Sequence, residues 1–477
     1  MQYYNNSLLK ISGKIKILFI VTLFGIILSA CEKFVTVENP PDILTTDKVF
    51  ADDKSATSAI LSIYIDMMND QFGGNGSFVF FSMSALAGFS ANELQWTQSN
   101  TTTPTYLEFT DHGLTPPNTS IRPFWRDGYK YIYRTNAILS GIVSSSGMTS
   151  EGKKLVEGEA KFIRAFCYFY LVNLFGDVPL VLSPDYKTNM NMARTPASQV
   201  WAQIENDLID ARALLPVNYP TAERLRPNRA TAGALLSRVF LYTGKWTEAE
   251  AEADAIISSA VYGTTLPVLD KVFKKDSPET IWQLQPVRAN VNTLDGVNFL
   301  VTGTTRPNYE LTSNLLSAFE PNDARKTKWI GFTNPAYPSW AFPAKYKAGT
   351  ATSVTEYHIV FRLTEQYLIR SEARARQGGS KINAAVSDLN VVRSRAGLSA
   401  INPADQNSLL LALEQERQVE FFAEWGHRWL DLKRTNRAEA VLKPLSPTNS
   451  WKKGSELYPV PDMEIGSNPL LTQNEGY

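Results

Sequence analysis

The chain has 477 residues, 44% hydrophobic and 20% charged, which is the profile of a folded globular protein and excludes a disordered one. Basic and acidic residues number 47 each, and the first 30 residues hold three lysines and no acid, so the remainder carries 44 against 47, a net of −3. That balance excludes the basic stripe of a nucleic-acid binder and any strong electrostatic pull toward anionic lipid.

The amino terminus reads as a targeting segment. Lys10, Lys14 and Lys16 precede an apolar or small run from Ile17 to Leu28, and Leu28-Ser29-Ala30-Cys31 follows. Small residues ending on a cysteine resemble the lipobox of bacterial lipoproteins. Residues 1–30 are then a signal peptide, and Cys31 is the acylated first residue of the mature chain, the site of lipid (palmitate) attachment. Several acyl chains, at ~0.8 kcal/mol per buried methylene, anchor firmly. Cys167 is then the only thiol left, and its apolar surroundings predict a buried, inert side chain.

Residues 31–46 are polar and contain Pro40 and Pro41, a tether. Asp47 to Met68 reads as helix, with Asp52 or Asp53 as cap. Gln71 to Pro117 is rich in Gly, Ser, Asn and Thr with weak helical periodicity, which predicts a long, partly ordered excursion. Phe124 to Val143 is helical again. Glu157 to Pro179 follows, apolar around most of its girth, with a narrow polar stripe at Glu157, Lys161, Arg164 and Tyr168. Such a helix needs neighbours on at least two sides. Gly176 suits its left-handed cap and Pro179 stops it. Ser198 to Leu215 is the next helix.

Arg229 to Ser259 reads as a helix pair. Within it, Ser237-x2-Phe240-x3-Gly244-x-Trp246-x2-Ala249 is the tetratricopeptide pattern of small residue, aromatic, turn glycine, aromatic and small residue. Glu365 to Gly397 repeats the theme, Leu409 to Leu432 with Arg437 to Leu442 makes another pair, and Glu157–Pro179 with Ser198–Leu215 makes one more. Four degenerate pairs suffice for a stable stack. Between them, Tyr262 to His358 holds eight prolines and three tryptophans, with Glu279 to Gln285 alternating like a strand and Asn334 to Ala344 a loop by composition. Pro444 to Tyr477 is loop-like. The fold class that follows is mostly α: a tetratricopeptide-like helical-pair scaffold with loop-rich excursions and a few short strands.

Chemistry by motif is sparse. His112, His358 and His427 lack partners at metal-ligand spacing, and no phosphate-binding or nucleophile-elbow motif is present. The helix from Glu414 to Asp431 carries Glu416, Glu420, Glu424 and His427, which could be imagined as acid and base. Arginines three or four residues away and the aromatic face of Phe421, Phe422, Trp425 and Trp429 favour a structural ion-pair network instead.

The phrases FGDVPLV, RPNRATAGALLSRVFLYTGKWTEAEAEAD, FRLTEQYLIRSEARAR, INAAVSDLNVVRSRAGL, EQERQVEFFAEWGHRWLDLKR and LYPVPDMEIGSNPLLTQNEGY, in this order and together with the lipobox, resemble the SusD/RagB family of Bacteroidetes surface lipoproteins. Glu475 stands where the family usually has proline. The resemblance implies one domain over residues 47–477, its helical frame at about 47–70, 120–260 and 359–443 and its ligand-face excursions at about 71–119 and 262–358. It further implies an oligosaccharide-binding lid, not an enzyme; no cofactor or catalytic metal is expected, a structural metal ion is left open, and the charge balance already argues against nucleic acid. That lid sits on a SusC-like TonB-dependent transporter at the outer membrane, exposed at the cell surface. In such a family aromatics on the excursions stack on sugar rings, with amides and carboxylates around them for the hydroxyls. The candidates are Trp96 with Asn92, Glu93 and Gln95, then Tyr309, Trp329, Tyr337 and Trp340, while Trp282 in the alternating strand is core. A peptide-binding RagB-like role, a protein-interaction scaffold and a glycoside hydrolase on a helical frame are the alternatives.

Overall fold

A computed structural model describes residues 46–69, 83–98, 103–263, 265–333, 339–448 and 450–477. The signal peptide, Cys31 and nearly all of the tether lie outside the described residues. Residues 1–49 and 50–477 form separate compact units, and the described part of the first is one helical turn, Thr46–Val49.

In the larger unit the longer helices are α1 (Asp53–Met68), α2 (Met83–Ser90), α3 (Thr103–Thr110), α4 (Arg122–Ser144), α5 (Ser150–Phe175), α6 (Ala197–Leu214), α7 (Arg229–Tyr242), α8 (Trp246–Ile257), α9 (Leu363–Gln377), α10 (Ile382–Arg395), α11 (Gln406–Phe421) and α12 (His427–Arg434). From α4 to α10 each packs on the next in chain order, and α11 closes on α9 and α10. This is a tetratricopeptide-like stack. The signature residues of the α7–α8 pair take their expected places. Ser237 and Ala249 are fully buried, and Gly244 makes the turn at φ +75°. The Ser237 hydroxyl donates to Gln366 Oε1 at 2.7 Å, tying this pair to α9.

The helix α5 runs through the centre. Thr149 caps it by accepting from Gly152 N at 3.0 Å, and Gly176 at φ +72° ends it with its N–H on Val172 O. Its polar stripe is largely taken up by neighbouring elements. Arg164 donates through Nε and Nη2 to Asp207 of α6 at 2.8 and 2.6 Å and through Nη1 to Asn136 of α4 at 2.8 Å. Lys161 reaches Asp210 at 2.8 Å, and the Tyr168 hydroxyl donates to Val181 O at 3.0 Å. The stripe therefore docks α5 onto both neighbours. Cys167 is fully buried, and burial pushes its thiol well above the ordinary value.

Among the described residues, three two-stranded antiparallel sheets complete the unit. They pair β1 (Leu94–Trp96) with β3 (Tyr309–Leu311), β2 (Thr280–Leu284) with β6 (His358–Arg362), and β4 (Ile330–Phe332) with β5 (Ala341–Pro343). The β2–β6 pair is buried throughout, and Trp282 packs edge-on against Phe162 and Phe166 of α5, as core.

Two expectations need correction. The helix expected from Asp47 to Met68 is interrupted: Thr46–Val49 is one helical turn and α1 begins anew at Asp53, with the expected cap Asp52 accepting through Oδ1 from Ser55 N at 2.8 Å. The stretch from Gln71 to Pro117, expected to be weakly structured, contains α2, β1 and α3. All eight residues of α2 are buried, so it has no polar face and shows no amphipathic period. The tail also belongs to the core. Tyr458 and Val460 are buried, and Asn474 donates to Phe175 O at 3.0 Å and Tyr458 O at 2.7 Å, capping the carboxyl end of α5.

Candidate ligand-binding site

The β1–β3 pair sorts the sequence candidates into two faces. Its register sets Leu94 opposite Leu311, Gln95 opposite Glu310 and Trp96 opposite Tyr309. Directly opposed residues share a face and successive residues alternate. Leu94, Leu311, Trp96 and Tyr309 therefore point one way. There Trp96 meets Tyr309 edge-on at 5.1 Å and Tyr106 of α3 at 4.9 Å, and Tyr309 stacks on Phe89 of α2 at 5.9 Å. Trp96 is half-buried, as is Tyr106, while Tyr309 is buried and packs against both as support.

Gln95 and Glu310 point the other way. Arg306 donates through Nε to Glu310 Oε2 at 2.8 Å, and its guanidinium lies 5.8 Å from the centre of the Trp340 ring. Trp340 directly precedes β5, its N–H on Thr333 Oγ1 at 3.0 Å and its carbonyl accepting from Thr333 N at 3.1 Å. The result is a ledge with an amide, a carboxylate, a guanidinium and a half-buried indole in sequence. Phe332, half exposed on β4, pairs with Ala341 of the same hairpin.

The turn between α2 and β1 holds the ledge. Asn92 sits at φ +54° in the turn between α2 and β1, which asparagine tolerates, and accepts from Thr312 Oγ1 through its carbonyl and from Asn314 Nδ2 through its side chain. Glu93, fully buried, accepts from Ala423 N at 3.1 Å, and its carbonyl accepts from Thr312 N at 3.1 Å. Burial pushes the Glu93 carboxyl up to about 8, despite the backbone N–H of Ala423 and the charges of Lys345 and Arg428. The turn that meets it, between α11 and α12, is wound left-handed at Ala423 (φ +51°), Trp425 (φ +47°) and Gly426 (φ +71°). A side chain at Gly426 would strike Met83 and Ala87 of α2 within 2.8 Å.

The comparisons with known proteins agree with this architecture along nearly the whole chain. Residues 42–241 match the family model SusD-like_3, described as starch-binding and associating with the outer membrane, and residues 308–477 match the SusD family model, SusD_RagB. The chain belongs to the SusD/RagB family. SusD-like protein P2 of Formosa agariphila is 26% identical over 97% of this chain and all of its own length. The starch-binding protein SusD of Bacteroides thetaiotaomicron is 24% identical over 70% of this chain and 75% of its own. Among solved structures, surface glycan-binding protein A of Bacteroides thetaiotaomicron in complex with laminarihexaose superposes with a TM-score of 0.74 at 21% identity, covering 89% of this chain and 99% of its own.

Within this SusD-like fold the remaining candidates separate clearly. Trp329 leaves the set: it is 1% exposed, its indole N–H donates to Leu269 O at 3.2 Å, and the cations of Lys345, Arg362 and Arg395 lie within 6 Å of its ring. It is a core plate, not a ligand surface. Tyr337 lies outside the described residues. Arg306 and Glu310 were missed because a four-residue spacing suggests a helix, and the intervening Pro307 conceals that they meet across the end of a strand. Asn314 was missed because nothing local links it to Asn92.

The charged helix of this SusD-like protein is a network, with partners other than those expected. Glu420 binds Arg362 at 2.5 Å, Arg325 at 2.9 Å and Arg395, while Glu416 binds Arg325 at 2.6 Å and Glu424 binds Arg362 at 3.0 Å. These arginines lie 25 to 95 residues away in sequence, not three or four. Burial pushes the Glu420 carboxyl up, but the guanidiniums of Arg395, Arg362 and Arg325 outweigh it and hold the group far below its ordinary range. His427 is held well below its ordinary value by burial and by the surrounding cations, so it is neutral. A carboxylate this committed and a histidine this buried do not reach substrate. Among the described residues no group of three or more His, Cys, Asp and Glu side chains could hold a metal ion, and no helix is long and apolar enough to cross a membrane.

Proposed function

We propose that this protein binds oligosaccharide non-covalently at the cell surface, tethered to the outer membrane through acylated Cys31, and passes it to a SusC-like TonB-dependent transporter. The observation that carries the reading is the ledge of Gln95, Glu310, Arg306 and Trp340. A pyranose ring presents an apolar face of C–H groups to an indole, while its equatorial hydroxyls need donors and acceptors at the rim. The ledge supplies both: Trp340 as the flat surface, the Gln95 amide as donor and acceptor, Glu310 as acceptor and Arg306 as donor. The Arg306–Glu310 pair fixes both groups before binding, which lowers the entropy cost of recognition. Solved SusD-like folds include one described as binding laminarin, which makes laminarin a sensible first probe alongside starch.

Affinity electrophoresis through gels carrying laminarin, starch or other soluble polysaccharides tests the ligand class. The mature protein is expected to be retarded by at least one of them and to release it chemically unchanged. Retardation by none, together with binding of peptides, would replace the glycan reading with a peptide-binding one. Hydrolysis lost on a single Glu or Asp substitution would overturn the binder reading altogether. Co-purification of the native lipoprotein with an outer-membrane barrel tests the transporter half separately.

A further inference from the structure

A second site lies in the helical frame, between α9, α11 and α12. A pocket of about 320 Å³ opens there, lined by Arg376, Arg417, Arg434 and Arg437 with Glu372, Glu414 and Asp431, against an apolar wall of Leu410 and Leu411. The charges do not balance. Glu372 takes Arg434 through both oxygens at 2.7 Å and Arg376 at 3.6 Å. Asp431 takes Arg417 at 2.7 Å and Arg434 at 2.8 Å. Glu414 takes Arg428 at 3.2 Å and Arg437 at 2.5 Å. Three carboxylates thus serve five guanidiniums, and each is already shared by two.

The surplus shows as unmet donors. Arg417 is 3% exposed, and its Nη1 has no hydrogen-bond partner; nor has Nε of Arg376. A buried guanidinium N–H without an acceptor is costly and uncommon. Leu411, 53% exposed on the pocket wall, is an apolar side chain left in water beside them. His427 Nδ1, 3.5 Å from Arg417 Nη2, cannot relieve the charge, since burial and the neighbouring cations keep it neutral.

We propose that this pocket binds a carboxylate. Its charge offsets the excess of guanidinium on Arg376, Arg417, Arg434 and Arg437, which line the pocket, and the attached carbon skeleton lies on Leu410 and Leu411. A pocket of this size takes a single sugar acid or one acidic amino-acid residue. The site is independent of the ledge: it uses different elements, and it would stand if the ledge bound nothing.

Titration calorimetry and melting curves on the folded mature chain test it, using D-glucuronate and N-acetyl-glutamate methylamide as probes with D-glucose and N-acetyl-glutamine methylamide as neutral controls. At least one acid is expected to bind and raise the melting temperature while its neutral partner does neither. Binding of glucuronate points to a glycan source and binding of the glutamate derivative to a protein one. Arg376→Gln and Leu411→Glu, both at partly exposed positions, are expected to weaken that binding about tenfold or more. Neither substitution should alter retardation by a neutral polysaccharide at the ledge. The proposal is overturned if neither acid binds, if both variants bind as the parent does, or if inorganic sulfate binds as tightly as the carboxylates.

Discussion

Single residues decide where the ligand can be met and how the fold responds to pH. Glu93 anchors the ledge and holds its proton up to about 8, against 4.5 in the unfolded chain. The folded state therefore binds more protons than the unfolded state across that window, so its contribution to stability is full below about 4.5 and is lost as pH rises toward 8. Denaturant titrations of the parent and Glu93→Gln should show the parent losing stability relative to the variant over this range, by on the order of a few kcal/mol at most. Lys345, pulled down to about 8 chiefly by burial, acts only above that window, so the two are separable. Trp329 is the contrasting residue. Its replacement by alanine should cost about 3–5 kcal/mol of stability, measured by chemical denaturation, and leave glycan affinity in the folded fraction unchanged. Composition suggested a ligand role for Trp329 because a proline-rich stretch hides burial. The contact that settles it, with Leu269, spans 60 residues of chain.

At the scale of elements, periodicity was a good guide wherever a helix had one polar and one apolar face. The frame helices from Phe124 onward, the α7–α8 turn at Gly244 and the α5 stop at Gly176 were all legible in this way. Ala249→Leu tests the close approach of α7 and α8: overfilling that contact should destabilise by about 1–3 kcal/mol in a thermal melt, with ligand affinity retained. The method failed where an element was buried on every side, as α2 is, or very short, as β1 and β3 are. The ledge was only half legible for the same reason. Trp340 and Gln95 are visible as loop residues of the right chemistry. The face that Gln95 occupies depends on a three-residue register between positions more than 200 residues apart, and that register also assigns Tyr309 to support.

Across the whole molecule, the buried ion network joins the excursions to the frame. Arg325 comes from the second excursion and Arg362 from the strand that ends it, Arg395 ends α10, and all three converge on Glu420 of α11. Removing one member leaves buried charges unpaired, so Glu420→Gln should cost about 3–5 kcal/mol, read as a lower denaturation midpoint with an unchanged slope. The sequence showed that the charges of this helix are structural, but local spacing pointed to the wrong partners. The network and the left-handed turn at Ala423–Gly426 fix the base on which α2 and β1 of the first excursion rest.

The central claim is that the ledge binds sugar through Trp340 and Gln95, and titration calorimetry with a polysaccharide or oligosaccharide that retards the protein tests it most directly. Trp340→Ala and Gln95→Ala should each weaken binding, Trp340→Ala by about tenfold or more, with the melting temperature nearly unchanged. Parent-like affinity in a folded Trp340→Ala, Gln95→Ala double variant would contradict the account and place the sugar elsewhere on the molecule.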